Sequence, residues 1–130
     1  MIAIPIDALS LDAKSSKLFG NVNFFAIYEP EKKTFEFLKN TESGNGIKTA
    51  KLLHDSDVTT TVYSYMGDGP FKSLNEDRID VYYIGKEPMS LHEIVQKVEN
   101  GGFIKVDANN ASVYLDPGTS SENCECTCKA

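Results

Sequence analysis

The residues best suited to chemistry are three cysteines near the carboxyl end, Cys124, Cys126 and Cys128, in a chain whose first 123 residues contain none. Thiolates are the ligands that soft metals and iron–sulfur clusters select. The C-x-C spacing differs from the C-x-x-C of structural zinc sites, and three thiolates leave tetrahedral zinc one ligand short. We therefore predict soft-metal or cluster binding here, against the alternative of a redox-exposed tail without a ligand.

Four aspartates suggest a second chemistry, that of a divalent-metal-dependent hydrolase. Two-metal hydrolysis needs several carboxylates converging on one pair of cations. Of Asp7, Asp12, Asp68 and Asp80, only Asp7 directly follows an expected strand, and ordinary surface acids are the simpler interpretation. The sequence contains no nucleophile elbow and no phosphate-binding P-loop. These observations favour a protein that is not an enzyme.

Length and charge narrow the class of protein. A chain of 130 residues predicts one domain with a hydrophobic core of its own. Lysine and arginine number 13 against 19 acids, giving a net charge of -6, and Arg78 is the one arginine. This balance argues against nucleic acid and anionic membranes as partners. The amino-terminal residues lack the basic start of a secretory signal. Clustered cysteines do not form a disulfide framework, so we expect a reducing cytoplasm.

Hydrophobic patterning predicts the elements that must position these residues. Alternating or continuous apolar runs indicate strands, and apolar residues three and four apart indicate helices. The expected strands are 2–6, 24–29, 34–39, 57–63 and 79–84, and the expected helices are 47–54, 70–75 and 90–100. The resulting order, βββαβαβα, implies a mixed sheet with helices packed on its faces.

Capping residues sharpen two of the helices. Asn45 is an expected N-cap for the first helix, in which Ile47, Ala50, Leu53 and His54 form the apolar stripe. Ser90 and Glu93 form a capping box at the start of the last predicted helix. Pro70 suits the first position of the middle helix, and Gly101 supplies a stop signal after the last one.

The carboxyl-terminal part divides into two segments. Residues 103–115 contain two apolar runs around Asn109-Asn110, which predict a hairpin that adds to the sheet or covers one of its edges. Residues 116–130 are polar and lack core residues, so we expect a flexible tail that carries the cysteines. The predicted domain is therefore 1–115, with the tail outside it.

Several spaced motifs resemble one known family over about residues 1–102. They are IAIPID at the start, SKLFG at 16–20, FFAIY at 24–28, GIKTAKLL at 46–53 and MGDGPF at 66–71. The chain is similar in these motifs to the dinitrogenase iron–molybdenum cofactor-binding domain family. That family includes nitrogenase cofactor carriers, accessory proteins and small archaeal and bacterial relatives. The resemblance implies a three-layer α/β/α fold of the ribonuclease H-like type.

The resemblance also implies a non-catalytic carrier or binding protein for an iron–molybdenum or other metal–sulfur cluster, or for its precursor. Such clusters are commonly anionic, and unpaired N–H groups at helix starts attract anions. The glycine-rich segments 43–46 and 67–69 both precede helices, so we expect a cradle if both lie at one end of the sheet. The alternative is a pair of tight turns. The candidate cofactor-binding residues are Gly20, Asn21, Gly44, Asn45, Gly46, Met66, Gly67, Asp68 and Gly69.

Three departures from the family pattern support a different function. Many members have a histidine where this chain has Leu18, and an arginine where it has Asn21. Small residues often precede the Met-Gly pair, where this chain has Ser64 and Tyr65. The alternative is thus a regulatory or interaction module that has lost the cofactor. For the carrier, the implied partners are cofactor-assembly or acceptor proteins, with the chain a monomer or weak homo-oligomer.

Overall fold

Eight elements follow one another in the order that the sequence predicts, and two more, a strand and a helix, come after them. The computed structural model describes residues 1–10 and 12–115. The strands are β1 (Ile2–Ile6), β2 (Phe24–Glu29), β3 (Thr34–Lys39), β4 (Thr60–Tyr63), β5 (Asp80–Tyr83) and β6 (Ile104–Val106). The helices are α1 (Gly46–Asp55), α2 (Asp68–Glu76), α3 (Leu91–Asn100) and α4 (Ala111–Tyr114). The protein is of the α/β class.

The six strands form one mixed sheet in the order β3-β2-β1-β4-β5-β6. The two hairpin neighbours β1·β2 and β2·β3 are antiparallel, β1·β4 and β4·β5 are parallel, and β6 is antiparallel to β5. It follows that β1, β3, β4 and β5 all run in one direction. Their carboxyl ends therefore meet at a single edge of the sheet.

Two hydrophobic cores lie on opposite faces of this sheet. Successive side chains of a strand point to opposite faces, and in β1 Ala3 belongs to one core while Ile2 and Ile4 belong to the other. Residues of α1 and α2 pack in the first core, and residues of α3 pack in the second. Both faces of β1 are buried because helices cover it on either side, which explains its continuous apolar sequence.

The predicted helix boundaries are largely confirmed by their caps. The Asn45 side chain accepts a hydrogen bond from the Lys48 N–H at 3.0 Å. The Ser90 side chain accepts one from the Glu93 N–H at 3.3 Å, and Gly101 ends α3 with φ at 74°. The prediction for α2 was off by two residues, because the helix begins at Asp68 and Pro70 occupies its third position.

The predicted carboxyl-terminal hairpin is wrong. The first apolar run forms β6 and extends the sheet, but the second run forms the short helix α4. Asp107 explains the change of direction, since its carboxylate accepts hydrogen bonds from the N–H groups of Asn109 and Asn110 and closes a turn that leads into the helix. Over residues 1–10 and 12–115, no helix has the length and apolar character needed to cross a bilayer.

Candidate functional site

Three loops meet at the sheet edge formed by the carboxyl ends of β1, β3 and β4. The first connects β1 to β2 and contains Gly20. The second runs from Asn40 to the start of α1, and the third runs from Ser64 to the start of α2. Because both helices start from this edge, the two glycine-rich segments 43–46 and 67–69 lie at the same end of the sheet. We call the place where the loops meet the glycine rim.

Backbone contacts that only glycine permits hold the rim together. A Cβ atom added to Gly20 would lie 2.8 Å from the Cα atom of Gly46, closer than real Cβ atoms approach other atoms. A Cβ atom added to Gly46 would overlap the ring of Pro70. The first loop, the start of α1 and the first turn of α2 are thus stacked in direct contact, and side chains at these glycines would push the loops apart.

A buried network of hydrogen bonds around Asn40 and Thr49 holds the same loops in place. The Asn40 amide donates to the carbonyl of Val22 at 2.8 Å and to the hydroxyl of Thr49 at 3.1 Å. Its carbonyl oxygen accepts from the N–H of Glu42 at 3.0 Å. Asn40 and Thr49 are 4% and 0% exposed, so these bonds form away from bulk water. A third link joins the Gly44 N–H to the Gly20 carbonyl at 2.9 Å.

Backbone donors without partners are exposed at the rim. The N–H groups of a first helical turn have no partner inside their helix. In the part of the chain that the structure describes, the N–H groups of Gly46 and Ile47 in α1 and of Asp68 and Gly69 in α2 have no hydrogen-bond partner. Two helix starts with positive partial charge therefore lie side by side. Such an arrangement binds anions.

Exposed apolar side chains occur in and beside the loops of the rim. Ile47 is 52% exposed and lies against α2, since a Cβ atom on Gly69 would be 3.3 Å from the Ile47 side chain. Leu18 and Tyr65 are also exposed. The one acid among the candidate residues, Asp68, forms an ion pair with Lys72 at 3.0 Å, which offsets its repulsion of an anion.

One polar atom beside the rim is buried without a partner. The hydroxyl of Ser64, which directly follows β4, has no hydrogen-bond partner among residues 1–10 and 12–115. An unsatisfied buried hydroxyl costs free energy, so this residue is suited to accept a further contact. The rim thus combines helix-start amides without partners and an unsatisfied hydroxyl in the strand end below them.

The structure separates the remaining candidate residues by role. Met66 is 2% exposed and belongs to the core beneath α1 and α2, so its thioether packs rather than facing solvent. Asn21 is exposed, and its carbonyl accepts from the Ser43 hydroxyl at 3.2 Å. Asn45 caps α1. Cys124, Cys126 and Cys128 lie outside the described residues.

The carboxylates that suggested a hydrolase do not converge. Asp68 pairs with Lys72, and Asp80 pairs with Lys105 at 3.1 Å. Across the two described ranges, no three histidine, cysteine, aspartate or glutamate side chains are grouped so that they could hold a metal ion. The rim thus offers amide donors, and it offers no set of side-chain ligands of this kind.

Sequence reasoning assigned Ile47 to the wrong environment. The prediction puts it on the buried stripe of α1, but it is exposed, and the buried residues of the helix are Thr49, Ala50 and Leu53. His54 is exposed in the last turn, at the carboxyl end of the helix. Ile47 is in the first turn, where the helix projects beyond the core, and it borders the rim instead. The position of Ile47 directly after Asn45-Gly46, at the start of the helix, was the sequence signal that could have indicated its exposure.

These features define a small α/β protein in which three loops and two helix starts meet at one edge of the sheet. The model of the dinitrogenase iron–molybdenum cofactor family matches residues 1–101, and the chain belongs to that family. The family association supports a role in binding or carrying a cofactor. No curated protein is similar enough in sequence to count as a match.

Two solved structures share the fold. The apo form of the orange protein from Desulfovibrio gigas is 23% identical, with a TM-score of 0.74, covering 81% of this chain and 91% of its own. A putative NifB protein from Thermotoga is 23% identical, with a TM-score of 0.72, covering 90% of this chain and 97% of its own. At this identity the likeness concerns the fold.

Proposed function

We propose that this protein is a non-catalytic carrier for an anionic metal–sulfur cluster, either the iron–molybdenum cofactor or a related cluster or precursor, which it holds at the glycine rim. The observation that carries the proposal is the contact between Gly46 and Pro70, which places two helix starts with free amides side by side. The cluster is cargo in this scheme, received from an assembly protein and passed to an acceptor.

The amides suit such a guest better than a bare cation. Gly46 and Ile47 from α1, with Asp68 and Gly69 from α2, would donate hydrogen bonds to cluster sulfides. The apolar side chains of Ile47 and Leu18 would limit access of water, which controls the stability of bound clusters. In the sheet, β3, β2 and β1 are antiparallel neighbours, and β4 and β5 continue the sheet parallel to β1. This arrangement of strands supports a ribonuclease H-like classification.

We further propose that Cys124, Cys126 and Cys128 add thiolate ligands. The position of the last described residues supports this proposal. The Tyr63 hydroxyl donates to the Tyr114 carbonyl at 2.7 Å, and Tyr63 ends β4 at the same sheet edge as the rim. Eight residues lie between Leu115 and Cys124, and an extended chain spans up to about 3.3–3.6 Å per residue, or about 30 Å over this segment. A reducing cytoplasm would keep the thiols available.

The test uses the full chain, purified anaerobically and metal-free, with tetrathiomolybdate as a soluble metal–sulfide anion. Saturable binding would shift the visible charge-transfer bands of the probe. The variant Ile47→Asp places a carboxylate in the first turn of α1, where it favours the helix but repels an anion, so we expect folding to persist and binding to be lost. Asn109→Asp adds the same charge in the turn after β6 and is the matched control.

A variant that adds a possible metal ligand distinguishes the carrier from the alternative function, a regulatory or interaction module. Leu18 is 47% exposed beside the rim, where many family members have histidine. If neither the parent chain nor Leu18→His binds the probe, the carrier proposal is wrong. If Leu18→His alone binds, the rim has lost its cargo and the module is favoured. Phe37→His, an exposed apolar position on the edge strand β3, controls for nonspecific binding by imidazole.

A further inference from the structure

A second concave site lies on the opposite face of the sheet from α1 and α2. Among residues 1–10 and 12–115, the helix that packs on this face is α3, and the β2–β3 hairpin lies beside it. Between α3 and the hairpin is a cavity of about 610 Å³, within the range of roughly 300–1,000 Å³ typical of small-molecule sites. We call it the hairpin groove. None of its lining residues belongs to the glycine rim.

Three contiguous rings line the hairpin groove. The ring centroids of Tyr28 and Phe35 are 5.0 Å apart, and those of Phe35 and His92 are 5.6 Å apart at an interplanar angle of 87°. Tyr28 and Val95 are buried, whereas Phe35 is half-buried and His92 is exposed. The ring edges and faces that remain open can pack against the apolar part of a ligand.

The polar lining residues carry one charge of each sign. Lys33 ends the hairpin turn, held there by its N–H donating to the Glu29 carbonyl at 2.7 Å. Glu99 lies on α3 in line with His92 and Gln96, because residues four and seven apart share a helix face. Among the ion pairs of residues 1–10 and 12–115, none involves Lys33 or Glu99. The groove thus has an ammonium and a carboxylate that are both free to pair with a ligand.

We propose that the hairpin groove binds a free amino acid with an aromatic side chain. The carboxylate of the amino acid would pair with Lys33. Its ammonium would pair with Glu99 and donate to the side-chain carbonyl of Gln96. Its ring would pack on Phe35 and His92. The balance of one cation against one acid disfavours a polyanion such as a nucleotide or a cluster. A residue inside a peptide has neither a free α-ammonium nor a free α-carboxylate, so it cannot pair with Glu99 and Lys33 at the same time.

The experiment is a titration of the full-length, metal-free, ¹⁵N-labelled protein with L-phenylalanine to millimolar concentration. We expect saturable amide shifts confined to the groove. The matched ligands 3-phenylpropanoate, which lacks the ammonium, and 2-phenylethylamine, which lacks the carboxylate, should each bind about fivefold more weakly, the upper range for an exposed ion pair. Equal affinity for all three ligands, or absence of saturable shifts, would overturn the proposal.

Two variants test the charges without disturbing the fold. Lys33 has φ at 55°, a conformation that glycine adopts readily, so Lys33→Gly removes the ammonium without backbone strain. Glu99→Gln removes the carboxylate charge. Each should weaken L-phenylalanine about fivefold and leave the ligand that lacks the matching group unchanged. Lys32→Ala, in the same turn but outside the lining, should bind like the parent. Loss of binding in Lys32→Ala or unchanged binding in both charge variants would contradict the proposal.

Discussion

Gly20 and Gly46 meet backbone to backbone, although 25 residues separate them and they belong to different layers of the fold. An added Cβ atom on Gly20 would lie 2.8 Å from the Gly46 Cα atom. This contact is what brings the β1–β2 loop onto the start of α1, and Pro70 continues the stack onto α2. The cargo site proposed here exists because no side chain intervenes.

The variant Gly20→Ala should therefore destabilise the protein by about 1–3 kcal/mol, the usual cost of forcing extra atoms into a packed site. The loss would appear as a lower midpoint in urea unfolding with an unchanged slope. Gly67→Ala is the control, because its Cβ atom would be 3.8 Å from Pro70, an ordinary contact. Equal losses in the two variants would show that the close approach is not the cause.

The variant Asn40→Ala should cost about 2–3 kcal/mol in the free energy of unfolding, because it leaves buried partners of the Asn40 amide unsatisfied. It should also speed hydrogen exchange at Gly44, whose N–H is bonded to the loop that Asn40 holds. Asn23→Ala changes an exposed side chain nearby and should be close to neutral. If Asn40→Ala leaves exchange at Gly44 unaltered, the network does not fix the rim.

The variant Tyr63→Phe should cost about 0.5–1.5 kcal/mol through loss of the hydrogen bond to the Tyr114 carbonyl. We expect faster amide exchange across α4, together with weaker retention of tetrathiomolybdate only while the three cysteines are present. Tyr65→Phe, at an exposed position, is the matched control. Identical retention by Tyr63→Phe and the parent chain would mean that anchoring at Tyr114 does not matter for the cysteines.

Lys105 and Asp80 link β6 to β5 at 3.1 Å. The hydrogen bond with Asp80, followed by its negative charge, raises the pKa of the Lys105 ammonium above the ordinary value of 10.5. The pKa of Lys105 is therefore higher in the folded protein than in the unfolded chain. The ion pair contributes fully to stability at pH values below the pKa of the unfolded chain. This contribution disappears as the pH rises through the pKa of the folded protein. NMR titration of Lys105 should show a lower pKa in Asp80→Asn.

The stability comparison gives the same pair a second test. Parent and Asp80→Asn proteins should differ in unfolding midpoint at pH 8, and the difference should shrink as pH rises past the Lys105 pKa. If the difference in unfolding midpoint does not change with pH, the effect of Asp80→Asn is due to packing and not to the ion pair.

Local signals determined much of this protein from its sequence. Alternation in 34–39 predicted β3, Asn45 and Ser90 marked helix starts, and Gly101 marked a helix end. Each of these signals acts within a few residues, because a cap or an apolar stripe is recognised by its own turn of backbone. The spaced glycine motifs also indicated the family, which the match over residues 1–101 confirms.

Only the tertiary structure decided what those glycines do. Whether Gly20 reaches Gly46 depends on strand order and direction, which are fixed by pairing between distant segments. The same limit explains Ile47, whose apolar side chain looks like core until the end of the sheet is located, and residues 111–114, which form a helix rather than a strand. Apolar runs record a preference for burial, and the surface against which each one packs is set by the rest of the fold.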